Sequence, residues 1–227
     1  MIEQNFENFL DLGSSKLRLG IFDKKLFKLK YICEKDCITN LTRKKLDINN
    51  SQSIIAELIR TAEKNINSHI KDLNIIIDTI DVNTIDISLK KNFDEKLINI
   101  EDINYFIIEA QRLINSNYPS KKILHTVIEK YIFDDVEYDS FPEQNNLCKN
   151  LILRLKFICI PKLIFDEIIL KFKNNLIQIK KVYISSYVKS FNYNKLFDKY
   201  NYKTFIDIGY NKSCLTIFKK KKNYYLL

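Results

Sequence analysis

Two stretches decide how this chain reads: FLDLGSSKLRLGIF, from Phe9 to Phe22, and FIDIGYNKSCLTIF, from Phe205 to Phe218. Each is an apolar run ending in Asp-x-Gly, a short polar turn closed by a Lys, and a second apolar run, which is the pattern of a β-hairpin. Among 227 residues there are only three glycines, Gly13, Gly20 and Gly209, and two of them occupy the same place in this repeat. Glycine supplies the positive φ such a turn is expected to need, and lets a ligand oxygen approach the backbone closely. A strand that stops there and folds back exposes several N–H donors at its tip, and a concave run of donors cradles phosphate. The carboxylate just before the glycine repels a phosphate unless a magnesium ion stands between them, because Mg²⁺ is usually held by one or two carboxylates plus substrate phosphates. Lys16 adds a cation beside the first turn. Either string alone reads equally well as an ordinary hairpin; two matching copies point to a clamp for a triphosphate.

The remaining composition excludes more than it assigns. Charged residues at 29% and hydrophobic residues at 46% describe an ordinary soluble chain, long enough for one large or two small domains. The net charge of +9 is spread along the whole sequence among Asn, Ile and Glu, and the only alanines are Ala56, Ala62 and Ala110. Scarce Gly and Ala with abundant Lys, Asn and Ile is the imprint of an A+T-rich coding sequence, whereas a nucleic-acid footprint clusters on one face. No nucleic-acid partner is therefore expected, and the run from Lys219 to Lys222 reads as a solvated hairpin turn. Cys33, Cys37, Cys148, Cys159 and Cys214 form neither a disulfide framework nor a zinc pattern, which suits a reducing cytosol. MIEQNFENF has no signal-peptide character, and no apolar stretch reaches the length of a membrane span.

Periodicity predicts the element order. Strands are expected over Phe6–Leu12, Lys16–Phe22 and Leu26–Cys33, then a helix from Ser51 with Ser51 or Ser53 as N-cap, and a doubly buried strand over Leu73–Ile77. The pattern then changes: an alternating strand over Val82–Leu89, a helix over Ile100–Ser116 with Glu101 and Asp102 complementing its dipole, and alternating strands over Ile123–Phe133 and Leu151–Ile160 around a polar loop with Pro142. This reads as a small inserted α+β subdomain. Pro161 then suits the first turn of a helix with Leu163, Ile164, Ile168, Ile169 and Phe172 on its apolar face. A strand over Leu176–Ile184 follows, then a short helix capped by Ser185 or Ser186 and running through Phe191. The second copy of the repeat comes next, with a third apolar strand at Tyr224–Leu227.

The paired hairpins resemble the phosphate 1 and phosphate 2 motifs of the superfamily of actin, hexokinase and the heat-shock chaperones, which holds ATP-Mg between two duplicated domains. Within it the chain resembles the bacterial cell-division protein FtsA, through LDLGSSKLRLGIF, through KKILHTVIEKYIFDD at Lys121 to Asp135, and through TFIDIGYNKSCLTIF. The middle segment is similar to the strand pair of that family's subdomain 1C. The resemblance implies an α/β, actin-like (ribonuclease H-like) fold: residues 1–80 and 161–199 as subdomain 1A, residues 81–160 as the inserted 1C, and residues 200–227 as the start of subdomain 2A.

Carried over residue by residue, it implies that Asp11, Gly13, Ser14, Ser15 and Lys16 form phosphate 1 and that Asp207 and Gly209 open phosphate 2. Asp11 and Asp207 stand near the metal. The family continues phosphate 2 with further glycines and a Thr, where this chain has Tyr210, Asn211, Lys212 and Ser213; Asn211 tolerates left-handed geometry, and Asn211 and Lys212 join the implied nucleotide contacts. YISSYVKS, Tyr183 to Ser190, lacks the Glu that serves filament-forming relatives such as MreB as a water-orienting base, so at most a weak ATPase is expected. The implied role is an ATP-binding adaptor that links FtsZ filaments to the cytoplasmic membrane at the septum, recruits later division proteins and self-associates into actin-like filaments. Its place is the cytoplasmic face of the inner membrane at the division site. The family's adenosine pocket, FtsZ-tail site and C-terminal membrane helix are not read here, and the chain is expected to be a piece of a longer protein. The alternatives are a pilus-assembly protein of the PilM type, which shares the phosphate motifs, and a sugar-kinase-type enzyme, for which no substrate carboxylate is identified. His69 and His125 are assigned no role.

Overall fold

The first hairpin forms because Leu10, Leu12, Leu17, Leu19 and Ile21 alternate along their strands and bury one side of the sheet almost completely. In the computed structural model, which describes residues 6–26, 28–37, 51–142, 147–173, 176–196, 199–200, 202–209, 212–219 and 222–226, strands β1 (Phe6–Leu12), β2 (Lys16–Asp23) and β3 (Lys28–Asp36) run as an antiparallel meander. The third strand is set two residues later than the pattern predicts at its start, and extends to Asp36. Helix α1 (Gln52–Ile66) buries Ile55, Leu58, Ile59 and Ala62. Ser51 stands at its N-cap, but its hydroxyl makes no capping bond; it lies 3.3 Å from the Cys37 thiol, and only its carbonyl serves the helix, accepting from the Ile55 N–H.

Strand β4 (Asp72–Ile77) is the apolar run, with Leu73, Ile75 and Ile77 wholly buried. The five-stranded sheet has the order β3-β2-β1-β4-β9, in which β4 lies parallel both to β1 and to β9 (Gln178–Ile184). Two buried asparagines stitch β1 to β4: the Asn8 amide donates to the Asp72 carbonyl at 3.1 Å, and the Asn74 amide to the Asn8 carbonyl at 3.4 Å. Helix α3 (Lys162–Lys173) buries Ile168 and Phe172, whereas Leu163 is 84% exposed; Pro161 ends the preceding strand instead of opening the helix. The β9 strand starts at Gln178, because Leu176 takes a left-handed turn at φ 59° and points to solvent. Helix α4 begins at Ser185, directly off β9, and runs to Leu196, past the expected end at Phe191.

The inserted segment builds a four-stranded antiparallel sheet of order β5-β8-β6-β7, from β5 (Asn83–Leu97), β6 (Lys121–Phe133), β7 (Val136–Tyr138) and β8 (Leu147–Pro161). Helix α2 (Ile100–Asn117) opens with a capping box, Asn99 bonding the Asp102 N–H and Asp102 bonding the Asn99 N–H. Phe106 and Ala110 of α2 join Leu151, Leu153, Leu155 and Phe157 of β8 in one apolar cluster. Strand β5 continues eight residues past Leu89, and β7 lies in what the sequence reads as loop. A third sheet orders β10 (Tyr202–Ile208), β11 (Ser213–Lys219) and β12 (Lys222–Leu226), the last two an antiparallel hairpin pairing Lys219 with Lys222.

The chain divides into two compact units. One comprises Met1–Ile80, Asp166–Tyr193 and Ile206–Cys214, the other Asp81–Phe165, Asn194–Phe205 and Leu215–Leu227. Both turns of the repeat lie in the first unit.

Candidate functional site

Parallel strands align their carboxyl ends, and in α/β sheets the crevice outside those ends is where ligands are held. Strands β1, β4 and β9 are parallel neighbours, so the turn after Leu12, the residues after Ile77 and the start of α4 fall on one edge of the first unit's sheet. The first turn follows β1. A Cβ on Gly13 would stand 2.7 Å from the Lys16 carbonyl oxygen, closer than any side chain tolerates. The second turn repeats this: the Gly209 N–H donates to the Lys212 carbonyl at 2.8 Å, and a Cβ there would stand 2.9 Å from the same oxygen. The expectation of positive φ is corrected, because no described glycine has one. Glycine is needed at both turns because the carbonyl three residues on closes over it.

The side chains of the first turn look sideways along the sheet. The Lys16 ammonium lies 2.7 Å from Glu34 and 3.7 Å from Asp36, both on the adjacent β3. Glu34 also takes the Arg18 guanidinium at 2.9 Å, and Arg18 reaches Asp11 at 3.5 Å, directly opposite it in the hairpin register. These contacts hold Glu34 below the usual carboxylate range and push the Lys16 ammonium above its own. Burial pushes the Asp11 carboxyl up, against Arg18 and Lys189, while the neighbouring Asp78 adds to the rise. Ser14 is half-buried, and the backbone carbonyl of Ser15, at the exposed tip, accepts from the Cys37 N–H at 2.8 Å.

The second turn is tied inward. Its Lys212 ammonium donates to Asp78 and to the Thr79 carbonyl, both at 2.7 Å, the second across 133 positions of sequence. Asp207 receives Lys189 of α4 on both oxygens, at 3.1 and 3.2 Å. Lys212 and Asp78 are nearly covered, with side chains 13% and 19% exposed. Tyr210 and Asn211, the latter an expected nucleotide contact, lie outside the described residues.

Structure and sequence thus differ in one chemical respect. The magnesium implied between Asp11 and Asp207 does not fit this donor set: both oxygens of Asp207 are engaged by one ammonium, an oxygen of Asp78 by another, and Asp11 faces Arg18. Among the described residues no group of three or more His, Cys, Asp or Glu is disposed to hold a metal ion. Of the residues the sequence singles out, the fold brings Asp11, Gly13, Asp207, Gly209 and Lys212 to this edge, and it adds Asp78, Lys189 and Arg18, which the sequence does not single out. A signal for Asp78 existed, since it is the first charge after the almost purely apolar run Leu73–Ile77 and therefore sits at a carboxyl end. Lys189 carried none, because its role depends on which strand its helix follows.

The remaining reactive groups are quiet. Burial raises the Cys148 and Cys159 thiols to about 11, so neither is a thiolate nucleophile at neutral pH. Burial also lowers His125, on β6, to about 4, leaving it neutral, and His69 is a surface residue 3.3 Å from Glu63. No described helix is long and apolar enough to cross a membrane.

No protein-family model and no curated protein matches the chain. Solved structures do. A chain of a PilM–PilN type IV pilus biogenesis complex superposes with a TM-score of 0.59 at 10% identity, over 96% of this chain and 59% of its own length. A Bacteroides thetaiotaomicron protein described as having an actin-like ATPase fold and unknown function superposes with a TM-score of 0.50 at 14% identity, over 98% of this chain and 70% of that one. The chain therefore spans less than two thirds of the PilM–PilN chain it is similar to. Identities this low speak for architecture alone, and the architecture is the actin-like ATPase fold.

Proposed function

We propose that this chain is the actin-like part of an adaptor that joins other proteins at a membrane-associated assembly, with its first turn as the seat of a nucleotide phosphate. The observation that carries the reading is the return of the second Asp-x-Gly turn to the carboxyl edge of the sheet that bears the first, where Lys212 meets Asp78. Residues 1–80 and 161–199 are proposed as subdomain 1A, residues 81–160 as the inserted 1C, and residues 200–227 as the start of 2A. In this reading the backbone of Gly13, Ser14 and Ser15 holds phosphate, and ATP is a structural ligand. The carboxylates at the edge, Asp11, Asp78 and Asp207, each face a cation, which supports a binding role over a hydrolytic one.

Two partners are proposed in order. The FtsA-like reading, linking FtsZ filaments to the membrane and recruiting later division proteins, is supported by KKILHTVIEKYIFDD, which forms β6 and its turn into β7. The PilM-like reading is supported by the likeness to a PilM–PilN complex. Binding of the purified full chain to FtsZ and to PilN from the same cell, measured side by side by surface plasmon resonance, separates them. Binding to neither sinks both. Nucleotide is tested by titrating ATP into the full chain: affinity should fall at least tenfold in Gly13→Val, and an unchanged affinity in a folded variant removes phosphate from the first turn.

A further inference from the structure

The carboxylates at the sheet edge have an unusual set of neighbours. Asp78 and Asp207 are each held by an ammonium of their own, Lys212 and Lys189, whereas Asp11 shares Arg18 with the nearer Glu34. An ammonium carries three donors and no acceptor. Lys212 places two on Asp78 and the Thr79 carbonyl, and Lys189 places two on Asp207. Asp78 and Asp207 thus face one ammonium each, so this pair of carboxylates is neutral with no ion added.

Mg²⁺ demands near-ideal octahedral oxygen geometry and dehydrates reluctantly. To enter here it would have to displace at least one ammonium, leaving that cation beside a doubly charged ion in partly buried surroundings. The edge therefore disfavours a divalent cation, not through any shortage of carboxylates but because they are already neutralised. The tethering of the lysines matters as well: Lys212 sits in the second turn and Asp78 directly after β4, so the ion pair links the two using only groups of the chain itself, a task that a diffusible ion performs only while bound.

We infer that Lys189 and Lys212 take the place of a divalent cation in this chain, neutralising Asp207 and Asp78 and holding the second turn against the sheet edge without metal. The inference does not require a nucleotide. It concerns what neutralises Asp78 and Asp207, and it leaves the phosphate seat at the first turn as a separate matter.

The test is titration of the full chain with Mn²⁺ alone, followed by calorimetry and by water-proton relaxation, in wild type and in Lys189→Met. The exposed half of the Lys189 side chain makes this the gentler substitution; Lys189→Met/Lys212→Met is the stronger form. Wild type should show no saturable binding below about 1 mM, and its melting temperature should be the same in Mg²⁺ and in EDTA. Lys189→Met should bind Mn²⁺ at least tenfold more tightly than wild type, and adding Asp207→Asn should abolish the gain. Saturable sub-millimolar binding by wild type, lost on Asp207→Asn, overturns the inference. So does a folded Lys189→Met that gains nothing, since the ammonium is then not what excludes the ion. If the double variant fails to fold, the wild-type and Lys189→Met titrations decide alone. A wild type that binds no ATP but also no Mn²⁺ defeats the nucleotide reading and leaves this one standing.

Discussion

Lys16 and Lys212 hold the same place in the two copies of the repeat, three residues after Gly13 and Gly209, yet they do opposite things. Lys16 is spread along the sheet surface toward Glu34 and Asp36, and its contacts stay within one hairpin meander. Lys212 turns inward to Asp78 and Thr79, and is largely covered. One copy is closed by neighbours that the strand pairing supplies automatically; the other is closed by residues that only the fold brings near. Equal local geometry does not give equal energetic weight, because solvent screens the first pair and much less the second.

Removing the inward cation should produce the largest effect. Lys212→Met leaves the Asp78 carboxylate without its partner in a nearly covered position, and about 3 kcal/mol of stability should be lost in urea unfolding. Lys16→Met should leave the urea midpoint unmoved, since both partners of its exposed pair stay hydrated. Equal losses in the two variants would break the comparison.

The backbone likeness of the turns makes a different prediction. Gly13→Ala and Gly209→Ala each force a methyl group against a carbonyl oxygen, at 2.7 and 2.9 Å, and each should cost about 2 kcal/mol. Gly20→Ala, outside the turns, meets the edge of the Phe22 ring at 3.2 Å, a flexible side chain that can shift, and should cost less than about 1 kcal/mol. Thermal melts of the three variants sharpen the comparison by showing which part of the repeat is shared. A smaller effect again, below about 1 kcal/mol, is expected for Lys189→Met, whose side chain is half exposed.

The smallest effect is a pH dependence at the first turn. The folded chain holds the Asp11 carboxyl above its ordinary value of 3.8, chiefly through burial. Ionising it therefore disfavours the fold: its contribution is favourable below 3.8 and is lost as pH rises through the folded value. Asp11→Asn should gain stability over wild type as pH rises from about 3.8, and the difference should level off above the folded pKa. A constant difference across acid and neutral pH would mean that Asp11 is no more buried than a surface carboxylate.

Much of the fold was legible because burial on one face imposes a period on the sequence. The alternation of Leu10 and Leu12 with Asp11, the apolar run of β4 and the stripe of α1 each follow from that requirement, and their boundaries lie within a few residues of those expected. The limits of β3, β5 and β9 were not legible. Leu26 and Leu176 look like strand residues but are 65% and 93% exposed, since a hydrophobic side chain at a turn carries no mark of where the chain bends.

The site divides in the same manner. The sequence by itself determined the two Asp-x-Gly turns, because each is a local event: a strand ends, and a glycine allows a carbonyl to close over it within four residues. The tertiary structure alone decided what those turns carry. Parallel pairing of β1, β4 and β9 puts Asp78 and the start of α4 at the edge that bears the first turn, and Lys189 and Lys212 complete it from the two later segments of the first unit. A lysine that reaches back 133 positions to the Thr79 carbonyl, and to Asp78 beside it, leaves no periodicity or spacing to read, so nothing along the chain announces that lysines stand where a magnesium ion was expected.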